Sequence, residues 1–133
     1  MNLDLISILV DDYDPAIAWF VDVLGFALVE DVRSLTNDGR PKRWVVVRPA
    51  TAQTGILLAK ADGDDQRATI GAQFAGRVGL FLRVEDFGAT IARLRAANAE
   101  IVTAPRDEPD GRVAVFRDLA GNKWDLLGPR PAA

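Results

Sequence analysis

Apolar positions along this chain switch between a two-residue and a helical period, and the switches mark its elements. Residues 3–10 are β-rich and apolar on both faces, which predicts a buried strand. Behind Asp14-Pro15, Ile17, Phe20, Val21 and Leu24 recur at helical spacing. Asp14 suits the N-cap and Pro15 the first helical position, and Gly25 ends the helix. Residues 26–32, 43–48 and 55–59 read as three strands, the first two joined by the turn signal Asn37-Asp38-Gly39. Residues 60–76 lose periodicity and read as a linker with a short turn of helix. The pattern then resumes. A strand is predicted over 78–84, a helix on Phe87, Ile91 and Leu94, and strands over 100–103, 112–117 and 123–127. Pro109-Asp110-Gly111 is a hairpin turn, and 129–133 form a frayed tail.

Strand, helix, three strands thus occurs twice. Val10-Asp11-Asp12-Tyr13 matches Val84-Glu85-Asp86-Phe87 and Ile17-Ala18 matches Ile91-Ala92, all 74 residues apart. Arg43 and Arg48 match Arg112 and Arg117 at an offset of 69, so the first copy is longer around its hairpin. The expected fold is α+β: two βαβββ modules, 1–59 and 77–128, in one domain. Each is a curved half-sheet with its helix outside, and together they form an open half-barrel around a cleft, the usual place for a small ligand.

Composition narrows the chemistry. The 133 residues are 49% hydrophobic and 26% charged, an ordinary globular balance. Histidine and cysteine are both absent. That removes the commonest general base, a Ser-His-Asp triad, thiol chemistry, disulfides and the usual zinc ligands. Net charge is -3 with no basic stripe, which argues against nucleic acid. No apolar run reaches the roughly 20 residues of a membrane span, and the start of the chain has no signal-peptide pattern. The expectation is a cytoplasmic protein with no membrane partner. The acidic run Asp11-Asp12-Tyr13-Asp14 is read as helix capping, not cation binding. No glycine loop has phosphate-binding spacing.

Two stretches carry a resemblance. One is Leu9-Val10-Asp11-Asp12-Tyr13-Asp14-Pro15-Ala16-Ile17-Ala18-Trp19-Phe20 with Leu24-Gly25-Phe26; the other is Arg117-Asp118-Leu119-Ala120-Gly121-Asn122-Lys123-Trp124-Asp125-Leu126. The chain resembles the vicinal-oxygen-chelate superfamily of glyoxalases, bleomycin-resistance proteins and extradiol dioxygenases, over essentially its whole length. The resemblance implies a glyoxalase/bleomycin-resistance fold and a homodimer, with modules paired within or between chains. It also implies metal-ligand positions on the first and last strand of each module, which fall on Leu5, Ile56, Gly79 and Asp125. Only Asp125 has a ligating side chain, and a metal site wants three or four donors. No metal and no cofactor are therefore expected, and a dioxygenase is disfavoured.

Strand alternation from those positions sends Leu5, Ser7, Ile56, Leu58, Gly79, Phe81, Arg83, Lys123 and Asp125 into the cleft, with Trp44 a candidate for stacking. Gly79 is expected to leave room where a metal-ligating histidine would sit. Asp125 has two readings: a ligand contact or general base, or a structural place, either in a salt bridge with Arg83 or Lys123 or simply exposed at the cleft mouth. The functional expectation is a metal-free cleft for a small organic molecule. The alternative is a lyase or isomerase with an atypical metal site or a metal-free aspartate base.

Overall fold

The computed structural model describes residues 1–131. The chain divides into two compact units, one ending at Ile70 and the other starting at Gly71. Each is a four-stranded mixed sheet with few helices, open and not closed into a barrel.

In the first unit, β1 (Leu5–Val10) leads into α1 (Tyr13–Ala18), which continues as a wider π-helical turn over Trp19–Val23. Asp12, and not the expected Asp14, caps this helix: its carboxylate accepts from the Tyr13 N–H at 2.8 Å. Asp14 is thereby released to pair with Arg43. The buried stripe is Tyr13, Ala16, Phe20 and Val23, a different helical face from the predicted Ile17, Phe20, Val21 and Leu24. Gly25 ends the helix with φ +73°, a conformation that favours glycine. β2 (Ala27–Leu35), β3 (Pro41–Arg48) and β4 (Gly55–Lys60) follow, then α2 (Asp64–Thr69), a short helix inside the expected linker. The sheet order is β1-β4-β3-β2, with β1 and β4 parallel.

The second unit repeats the plan with β5 (Val78–Arg83), α3 (Phe87–Ala96), β6 (Ile101–Glu108), β7 (Gly111–Arg117) and β8 (Lys123–Gly128), in the order β5-β8-β7-β6. Phe87, Ile91 and Leu94 are the buried stripe of α3, as their spacing predicts. Asp86 caps it by accepting from the Ala89 N–H at 3.0 Å. β2 and β6 both run longer than predicted, because hairpin pairing carries polar residues into the ladder.

Candidate functional site

The faces of the first sheet follow from one close approach. A Cβ on Gly55 would lie 3.0 Å from Val46 Cγ1 and 3.2 Å from Leu5 Cδ2, so Gly55, Val46 and Leu5 share a face. Leu5 pairs with Gly55, Ser7 with Leu57 and Leu9 with Ala59, so Leu57 and Ala59 join Leu5 and Ser7. Ile56 and Leu58 therefore lie on the opposite face, with Ile8 and Val10, and are 6% and 0% exposed. Their assignment to the cleft is corrected to Leu57 and Ala59. The link between β3 and β4 spans residues 49–54, one residue longer than the 118–122 link between β7 and β8. The offset of 69 therefore drops to 68 beyond it: Leu57, not Ile56, is the counterpart of Asp125.

Trp44 lies on the same face as Val46 and is 38% exposed. Its indole Nε1 donates to Glu30 Oε2 at 2.9 Å, which fixes the ring on the sheet.

The ladder between β3 and β4 is short. Val46 pairs with Leu57 and Val47 with Ile56, and there it stops. Pro41–Val45 stay with β2 while Leu58–Lys60 stay with β1. The sheet forks, and Tyr13 sits in the fork. Its hydroxyl accepts the Arg43 backbone N–H at 3.1 Å, a donor that β4 does not satisfy. The Arg43 guanidinium lies over the Tyr13 ring at 5.1 Å and bridges Asp14 and Asp31.

A pocket of about 790 Å³ occupies this fork. One wall is Lys42, Arg43 and Trp44; the other is Leu57 to Lys60. Leu58 borders it even though strand alternation turns its side chain to the covered face. Arg40 closes the outer end, donating to both Asp62 oxygens at 2.9 and 2.8 Å and to Asp38 at 3.0 Å. Hydrogen bonds from Thr36 and Arg40 hold the Asp38 carboxyl below its ordinary range, and that from Arg40 does the same for Asp62.

In the second unit Phe81 faces Asp125 across β5 and β8, and Arg83 faces Leu127. Phe81 is 64% exposed. Asp125 is half-buried, and neither it nor Arg83 has a partner among the described residues, so the expected salt bridge is absent there. Lys123 Nζ instead donates to the Gly76 carbonyl at 3.2 Å. Gly79 sits at a register shift between Val78 and Leu80, and a Cβ there would run into the Phe74 ring. The space expected at Gly79 is thus filled by Phe74, a residue outside the strand pattern.

Asp118 is the residue that pattern reading passed over. It is 5% exposed. Oδ1 accepts the backbone N–H groups of Ala120, Gly121 and Asn122, each at 3.0 Å. Oδ2 accepts from Trp124 Nε1 at 2.9 Å and Asn122 Nδ2 at 3.3 Å. The Asp-x-x-Gly-Asn signature is therefore a turn organised around one buried carboxylate. Asp followed by Gly-Asn at a strand end is the local signal for it.

The metal positions implied by resemblance can now be tested by their donors. The first unit supplies Leu5 and Leu57, neither a ligand, and the second supplies Gly79 and the single carboxylate Asp125. Among the described residues no three His, Cys, Asp or Glu are grouped to hold an ion. These side chains do not fit a metal of that kind.

A model of the Glyoxalase/Bleomycin resistance protein/Dioxygenase superfamily matches residues 2–126. An uncharacterized protein of Shewanella frigidimarina (strain NCIMB 400) is 43% identical over 123 residues, 92% of this chain and 89% of that protein. The crystal structure of UcmS2 superposes with a TM-score of 0.77 at 31% identity, covering 96% of this chain and 97% of that one. TnmS3, an antibiotic binding protein from Streptomyces sp. CB03234, gives a TM-score of 0.72 at 28% identity, covering 98% and 97%.

Proposed function

The chain belongs to the Glyoxalase/Bleomycin resistance protein/Dioxygenase superfamily, and from that premise we propose that it binds a small, largely apolar organic molecule without a resident metal ion. The observation that carries this reading is the forked first sheet. Its pocket of about 790 Å³ lies within the range of small-molecule sites. Trp44 is held beside it by Glu30 as a fixed aromatic surface. Leu57 and Ala59 supply apolar contact, while Lys42 and the paired charges at the rim supply polar handles. Similarity to TnmS3, an antibiotic binding protein, supports the same class of ligand. Phe81 and Arg83, both exposed, and the half-buried Asp125 form a second set on the other sheet.

The protein works in the cytoplasm as a homodimer in this reading. Leu28, Val29, Val32 and Leu35 are exposed along edge strand β2 and would be covered by a second copy. One observation favours a different chemistry. Asp125, half-buried and unpaired among the described residues, is placed to serve as the base of a metal-free lyase or isomerase.

A thermal-shift screen of planar aromatic and bleomycin-like compounds tests the proposal. A ligand at 100 times its Kd stabilises by about 2.7 kcal/mol. No shift with any class contradicts binding. Stoichiometric zinc, nickel or iron in protein purified without chelator contradicts the metal-free reading. Turnover of a bound compound that stops in Asp125→Asn favours the enzyme.

A further inference from the structure

We propose that the fork pocket of the first unit takes a planar aromatic acid, its ring stacked on Trp44 and its acidic group paired with Lys42. This rests on the small-molecule reading above and narrows it to one ligand class.

The charges around the pocket decide the sign. Arg40, Lys42, Arg43, Lys60 and Arg67 line it. Arg40 is paired with Asp38 and Asp62, Arg43 with Asp14 and Asp31, Lys60 with Asp12 and Arg67 with Asp64. Among the described residues Lys42 alone of these cations has no carboxylate partner. The two carboxylates in the lining, Asp38 and Asp62, are both engaged by Arg40. A cationic ligand would have to break the Arg40 bridge to find a counter-charge. An anionic ligand meets Lys42 without displacing any pair.

Geometry sets the rest. Lys42 and Trp44 are two residues apart on β3, so both side chains leave the same face about 7 Å apart. A fused two- or three-ring acid spans that distance. The indole N–H is already donated to Glu30, so Trp44 offers the ligand its ring face and not a hydrogen bond. Glu30 is a positioning residue for that face.

The test uses the full chain after dialysis against EDTA, with three probes of one shape: anthraquinone-2-carboxylate, its primary carboxamide and 2-(aminomethyl)anthraquinone. Binding is read by calorimetry and tryptophan quenching. The acid is expected to bind about tenfold tighter than the amide, as a charge-assisted pair would give, with the amine weakest. Lys42→Gln should bring the acid down to the amide's Kd and leave the amide unchanged; Lys42→Arg should keep the preference. Lys42 is exposed, so these variants keep the fold. Trp44→Leu should weaken all three probes. Equal binding of acid and amide, a preference for the amine, or a preference that survives Lys42→Gln overturns this inference and leaves the small-molecule reading standing. No saturable binding of any probe also overturns it, and the broader screen above then decides the fate of the reading it rests on.

Discussion

The two units share one strand plan and differ in how their third and fourth strands meet. In the second, every residue from Arg112 to Arg117 faces one of β8, and the ladder runs closed from end to end. In the first, only Val46 and Val47 face β4, and the rest of the two strands diverge. Both units set an arginine over the aromatic that opens the helix, Arg43 over Tyr13 and Arg112 over Phe87. The distinguishing residue lies at the far end of the last strand. Gly128 pairs with Arg112, and a Cβ there would lie 3.0 Å from Phe87 Cβ. Its counterpart, 68 residues earlier by register, is Lys60. Glycine leaves room for the strand to close against the aromatic in the second unit, and lysine stands at the matching place in the forked one. One copy of the repeat spends its backbone on pairing, and the other leaves a pocket.

Substitutions that attack the closed unit should have the largest effects. Asp118→Ala strands four donors of the turn, since the Gly121 N–H keeps the Asp118 backbone carbonyl, and is expected to cost about 3–5 kcal/mol by denaturant unfolding. A loss under 1 kcal/mol would show that the turn does not depend on its carboxylate. Gly128→Ala presses a methyl group on Phe87 and should cost about 1–3 kcal/mol. If it costs nothing, the close approach does not explain the difference between the ladders. In the forked unit, Tyr13→Phe removes the acceptor of the Arg43 N–H. The loss should be smaller, about 1 kcal/mol, with faster hydrogen exchange at the Arg43 amide. Unchanged exchange there would mean the amide has another acceptor.

Acid should open the outer end of the fork. Asp38 and Asp62 are depressed below their ordinary value of 3.8 by bonds from Thr36 and Arg40. A depressed carboxylate stabilises fully above its unfolded pKa, and that contribution is lost as pH falls through the folded value. The Arg40 bridge should therefore hold at neutral pH and release below about pH 3.8. Amide shifts at 36–40 and 61–66 would report it. The same shifts appearing near pH 6 would assign the transition to other groups.

Much of the fold was legible in the sequence. Gly25, the hairpin turns and the repeat are local signals, and the strand order follows once two copies are seen. The site was less legible for physical reasons. One extra residue between β3 and β4 turned Ile56 and Leu58 to the covered face, because strand side chains have a period of two. Phe74 fills the gap at Gly79 from outside the strand pattern. The closed end of the second ladder sets Gly128 against Phe87, a contact across 41 positions of sequence that no local pattern shows. The closing motif was visible from the start, but its buried residue Asp118 organises a turn, while Asp125 stands half-buried on β8.

The central claim is that the forked sheet binds an organic molecule without a metal. Its most direct test is calorimetric titration of EDTA-treated protein with anthraquinone-2-carboxylate, repeated after adding zinc or nickel. The account predicts saturable binding in the stripped protein, unchanged by either ion and weakened by Trp44→Leu. Binding that appears only when metal is restored, or that ignores Trp44→Leu, would contradict it.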